Sequence, residues 1–129
     1  MTVKNLFMID AIVCLLFGIS FIFSTQKLAD IFAINPALSA GAIVGLRGYG
    51  LVLLSAGIAL WMSRNSMASA ARRGFLIFIC LSGILLTINT IHAIVTGINN
   101  SKAWGIVVLV AVLGLWAGLL LPKEKVKEA

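Results

Sequence analysis

Three ionisable side chains interrupt otherwise apolar stretches of this 129-residue sequence: Asp10, Arg47 and His92, the last with Asn89 one helical turn before it. A charge in such surroundings is costly, so each needs a partner or a task. Arg47 offers a planar fork of donors suited to a phosphate or a carboxylate, His92 and Asn89 both donate and accept hydrogen bonds, and Tyr49 adds a phenol. Arg47, Tyr49, Asn89 and His92 together have the chemistry to line a pocket for a lipid headgroup, a quinone-like molecule or a small anion. The competing arrangement is structural: Arg47 snorkels to headgroups while Asn89 and His92 bond between helices. Asp10 reads as an anchoring group that pairs with Lys4 or with the basic stretch holding Arg64, Arg72 and Arg73, or that snorkels.

Other chemistries lack their residues. There is no Gly-x-Ser-x-Gly, no His-Glu-x-x-His and no pair of facing carboxylates, so no catalytic residue is assigned. A single histidine cannot provide two axial haem ligands, and no Cys, His, Asp and Glu cluster has metal-ligand spacing, so no metal or cofactor is expected. Cys14 and Cys80 form no Cys-x-x-Cys and read as small apolar residues.

The elements that must position these groups follow from composition. Hydrophobic residues make up 61 % of the chain and charged ones 11 %, with a mean hydropathy of +1.13. Fourteen charged residues cannot coat a compact water-soluble domain, which excludes a soluble enzyme, a disordered tail and a disulfide-stapled secreted module. In lipid the backbone must satisfy its own hydrogen bonds, so apolar runs of about 20 residues read as spanning helices. Four are present, at about 6–23, 41–62, 75–97 and 104–121. The expected fold is an all-α, single-domain transmembrane four-helix bundle over 1–129, running up-down-up-down.

Cations set the orientation. Lys4, Arg64, Arg72, Arg73, Lys123, Lys125 and Lys127 fall on one side, Lys27 and Lys102 on the other, which predicts cytoplasmic termini in a bacterial inner membrane. The net charge of +6, ten Lys and Arg less four Asp and Glu, is then largely a cytoplasmic-face property suited to anionic lipids rather than to nucleic acid. Trp61, Trp104 and Trp116 near span ends suit the interface. Asp10 and the absence of a small-x-small site after Ile22 make the first run a span rather than a cleaved signal.

Depth brings the polar residues to one level. Arg47 lies six residues past Gly41, roughly 9 Å below the outer surface, and Asn89 and His92 lie roughly 7 to 12 Å below it, counted back from Gly97. Ser82, Asn89 and Thr96 share one line of the third helix, with His92 about 60° away. The first connection contains Leu28, Ile31 and Phe32 at helical spacing beside Lys27 and Asp30, which predicts a short interfacial helix. Asn35-Pro36 is expected to start the second helix and Asn65-Ser66 to cap the third. Asn99-Asn100-Ser101 matches a glycosylation sequon but reads as a turn in so short a loop.

Small residues mark where helices can approach. On the second helix Gly41, Gly45, Gly48, Val52, Ser55 and Ala59 fall within about 40° of one line at 100° per residue. Val107, Ala111, Gly114 and Gly118 form a stripe on the fourth, and Gly83, Thr90, Ala93 and Gly97 one on the third. These seams serve packing within the chain or pairing with a second copy or another protein.

The stretch Arg47-Gly48-Tyr49-Gly50, followed by Leu53, Leu54 and Gly57 and closing with Trp61 and Arg64, resembles a pattern in small bacterial four-helix membrane proteins of the DoxX-like kind. The likeness runs loosely over most of the chain and implies the same four-helix fold. Because some DoxX-like proteins are associated with redox or quinone-linked membrane complexes, it also implies a quinone site at Arg47 and His92. Small multidrug transporters differ in having an acidic residue where this chain has Cys14. The expected function is that of a non-enzymatic membrane component with a lipid or small-amphiphile pocket in its outer half. An oligomeric small-solute transporter or channel, or a quinone-linked redox subunit, stands as the alternative.

Overall fold

The structure, a computed structural model, describes residues 2–34 and 38–123. Five α-helices follow one another: α1 (Val3–Phe23), α2 (Thr25–Phe32), α3 (Ala40–Ser63), α4 (Ala70–Val95) and α5 (Trp104–Leu120), the last flanked by 3-10 turns at Ser101–Ala103 and Leu121–Lys123. Four segments of 21 to 26 residues are long and apolar enough to cross a bilayer. At 1.5 Å per residue they reach about 32 to 39 Å, against a hydrocarbon thickness of about 30 Å. The chain is thus an all-α, multi-pass membrane protein. Its α1 start, its α5 end and the α3–α4 connection lie at one face, called here the terminal face. The α2 helix and the α4–α5 connection lie at the other.

Hydroxyl caps, rather than the edge of hydropathy, fix where three of the four long helices begin. Thr2 accepts from the Asn5 N–H (3.3 Å), Ser39 from Ala42 (3.2 Å) and Ser69 from Arg72 (3.2 Å), each satisfying a backbone donor that a helix leaves free. Asn35 and Pro36, the expected start of the second long helix, lie outside the described residues; helix begins after Ser39. The next long helix starts ahead of its apolar run, at Ala70, and so carries Arg72 and Arg73 in its first turn, but its cap is Ser69 and not Asn65-Ser66. It ends on Gly97, whose φ of 74° lets Ile98 and Asn99 N–H groups fold back onto the Ala93 carbonyl (both 2.9 Å). Gly97 was expected on a packing stripe; it is a helix terminator instead.

The long helices pair two by two. α1 packs along α3, where Gly18 and Gly50 meet backbone to backbone: a Cβ on Gly50 would lie 2.9 Å from the Gly18 carbonyl oxygen. α4 packs along α5 in the same way, and a Cβ on Gly83 would lie 2.7 Å from Gly114 Cα. Gly118 adds a looser approach, where a Cβ would lie 3.4 Å from Cys80 Sγ. The two pairs meet through α1 and α5, and their shared core sits toward the terminal face. There Leu6, Phe7, Leu60 and Leu76 are fully buried, and the Phe7 and Phe75 rings meet edge to face at 5.9 Å. Among the described residues α3 and α4 do not pair along their length, although Leu60 and Leu76 belong to the same core. An apolar groove lined by Ala56, Ala71, Gly74, Phe75 and Phe78 separates them.

One expected seam is displaced. Gly41, Gly45 and Gly48 are exposed, and a Cβ on any of them would meet nothing within 4 Å. Gly50 and Gly57 carry the α1 contact from the opposite side of α3, because only there does α1 present Gly18, Ala11 and Cys14.

Candidate functional site

The α2 face is built by two short connections that hold each other. After Phe23 the helix breaks at Ser24 (φ −132°, ψ 31°), while its N–H still bonds the Ser20 carbonyl (2.9 Å) and the Thr25 hydroxyl donates to the Phe21 carbonyl. α2 then runs eight residues along the surface, as its Leu28, Ile31 and Phe32 spacing predicts. Asn100 ties it to the α4–α5 connection: its Nδ2 donates to the Ile31 carbonyl (2.8 Å) and its backbone N–H to that of Phe32 (2.7 Å). Ile34 N–H bonds the Ile98 carbonyl (3.0 Å), and the Asn100 side-chain oxygen accepts from Lys102 N–H (3.0 Å). The Asn99-Asn100-Ser101 segment is thus a turn with a clamping role.

Between the α1–α2 corner and α3 lies a cavity of about 260 Å3, lined by Phe23 to Lys27 on one side and by Ile43 and Arg47 on the other. The Gly18–Gly50 and Ala11–Gly57 contacts set an antiparallel register that puts Arg47 opposite Phe21, about 4.5 Å below Ser24. From that depth an arginine side chain reaches the corner. The cavity also faces the first turn of α2, whose N–H groups receive no bond from the Ser24 side chain. Lys27 and Arg47 are exposed, and among the described residues neither forms an ion pair. The one acid at this end of the sequence, Asp30, accepts a hydrogen bond from Gln26 Nε2 (3.1 Å).

The four residues expected to share a pocket are divided by the pairing of the helices. Arg47 lines the cavity. Tyr49 stands beside it on α3, 38 % exposed, with its ring edge-on to Phe21 at 5.5 Å. Asn89 and His92 are exposed on α4, where the His92 carbonyl accepts from the Thr96 hydroxyl (2.8 Å). Among the described residues no hydrogen bond joins the α3 pair to the α4 pair, because α3 lies against α1 and α4 against α5. Sequence reasoning missed Lys27 and the Ser24–Gln26 turn as companions of Arg47. Their signal was present: an apolar run ends in Ser-Thr, and a cation follows two residues later.

At the other end Asp10 neither snorkels nor pairs with the basic stretch. It is 8 % exposed, makes no ion pair among the described residues, and accepts a long thiol hydrogen bond from Cys14 Sγ (3.9 Å) one turn on. Arg64 instead stacks over the Trp61 ring at 4.1 Å, and Arg72 donates to the Ser66 carbonyl.

Fold and cavity together define a polytopic membrane protein of four spanning helices with a basic recess at one end. Set against models of known protein families, against curated proteins and against solved structures, the chain matches none.

Proposed function

We propose that the protein is a non-enzymatic component of a bacterial plasma membrane, with cytoplasmic termini, that binds a lipid or other small amphiphile in its outer half at Arg47. What supports this is the cavity beside Arg47. It joins a cation at membrane depth to apolar Phe23 and Ile43 and to polar Ser24, Thr25 and Gln26. A molecule with one apolar and one polar end matches such a wall, and a partly enclosed recess is where such a molecule binds. The cation bias of the connections supports the orientation. Kinship with DoxX-like proteins belongs to the same proposal, as does association with a second copy or another protein.

Native mass spectrometry with lipidomics and an absorption spectrum, on gently extracted wild type and Arg47→Ala, tests this function. The expected result is an amphiphile retained by the wild type and lost from the variant, with helicity unchanged by circular dichroism. Identical nonspecific lipids on both would overturn it and leave Arg47 a headgroup anchor. A copurifying chromophore would point to a quinone-linked subunit instead.

A further inference from the structure

Resting on that function, we infer that the polar end of the bound molecule is a net-anionic phosphate, held between Arg47, Lys27 and the first turn of α2. Three kinds of donor converge on one recess. Arg47 brings a planar fork that fits tetrahedral oxoanions two oxygens at a time, and Lys27 brings a compact point charge. The start of α2 brings backbone N–H groups that the Ser24 side chain does not cap, at the positive end of the helix dipole. The acceptor sites of a carboxylate lie in one plane, which the guanidinium fork already shares. The oxygens of a phosphate, free or diester, fan out tetrahedrally, so a lysine and a helix start can approach them from directions outside that plane.

Charge and size agree with that choice. Of the acids among the described residues, Asp10 lies toward the terminal face and Asp30 at the α2 end, where Gln26 donates to it. Among the described residues the cavity is lined by two cations and no acid. A volume of about 260 Å3 lies below the range of about 300 to 1,000 Å3 that encloses a whole drug-sized molecule. It suits a headgroup whose acyl chains remain in the bilayer along α3, and equally a free phosphate.

The full-length protein in nanodiscs containing phosphatidylglycerol, phosphatidylcholine and oleate in equal amounts, read by native mass spectrometry, tests the inference. Wild type is expected to retain phosphatidylglycerol about tenfold over either competitor, and Arg47→Gln and Lys27→Gln each to lose that preference about tenfold. Lys102→Gln, which removes a cation from the same end outside the cavity, is expected to leave it intact. Because Lys27 is exposed on the short surface helix, its variant keeps the test informative should Arg47→Gln fold poorly. Displacement of the lipid by millimolar inorganic phosphate would support phosphate recognition and identify the free anion as a ligand. Resistance to it would support the lipid as the source. Equal retention of phosphatidylglycerol and oleate, or an equal loss with Lys102→Gln, would overturn the phosphate inference while leaving amphiphile binding standing. Retention of no amphiphile by the wild type would overturn both.

Discussion

On one face of α3, Gly50 and Gly57 lie against α1; about 120 to 180° round the same helix, Gly41, Gly45 and Gly48 look onto open space. Both sets consist of glycines at near-helical spacing, and nothing in their own identity separates them. The partner does. α1 offers Gly18 and Ala11 at the right register, so the backbones close until a Cβ on Gly50 would sit 2.9 Å from both the Gly18 carbonyl oxygen and Phe21 Cβ. In a bilayer, where lipid tails solvate apolar side chains as well as another helix does, this closeness supplies the dispersion contacts that hold helices together. A small residue therefore permits contact, and contact forms only where a second small residue answers it.

Breaking such a pair has its largest expected effect between α4 and α5. A Cβ on Gly83 would lie 2.7 Å from Gly114 Cα and 2.8 Å from the Val110 carbonyl oxygen, both main chain, so no side chain can swing aside. Gly83→Val is expected to cost about 3 kcal/mol of stability. Unfolding in mixed micelles followed by circular dichroism checks it, and a loss below that of an exposed Gly105→Val control would contradict the packing. Between α1 and α3 the obstruction is milder at Gly57, where a Cβ would meet Leu15 Cγ at 3.0 Å and the Ala11 carbonyl oxygen at 3.1 Å. Gly50→Ala and Gly57→Ala are each expected to cost about 1 to 2 kcal/mol. The pair stands about 10 Å apart along α3, so their effects should add in the double variant. Strong non-additivity would mean that α1 detaches as a unit.

The fold was legible where physics is local. Four runs of about 20 apolar residues dictate spanning helices in lipid whatever their neighbours do, and the surface helix at Thr25–Phe32 follows from Leu28, Ile31 and Phe32 beside Lys27. What depended on neighbours was not legible. Depth arithmetic brought Arg47, Asn89 and His92 to one level but carries no information on which helices touch, and α3 and α4 turned out to lie in different pairs. Within the chain the α3 seam carries no helix for a related reason: Gly41, Gly45, Gly48, Val52, Ser55 and Ala59 make the longer stripe, yet the shorter Gly50 and Gly57 stripe meets the answering glycine. Arg47 was recognisable as one wall of a site because a cation within an apolar run needs a reason. Its companions at Ser24–Lys27 needed the α1–α3 register, which Gly18 against Gly50 and Ala11 against Gly57 supply.

The smallest expected effect lies on the open face, and it bears most directly on the comparison. In Gly41→Ala, Gly45→Ala and Gly48→Ala the new methyl meets nothing within 4 Å, so no packing is lost. Alanine also orders the helix better than glycine, by up to about 1 kcal/mol per site in water and less where lipid already enforces helix. The single chain, dilute in micelles, should therefore be unchanged or slightly more stable in all three variants, with the same unfolding curve as wild type within error. Near-identical substitutions would then cost about 1 to 2 kcal/mol at Gly50 and nothing at Gly48, two residues away on the same helix. Should Gly45→Ala prove as damaging as Gly57→Ala under those conditions, a helix must lie on that face too, and the two-by-two pairing would need a fifth surface. Were the loss to appear only at high protein density, that surface would belong to a second copy, since a contact between chains weakens with dilution and a contact within one does not.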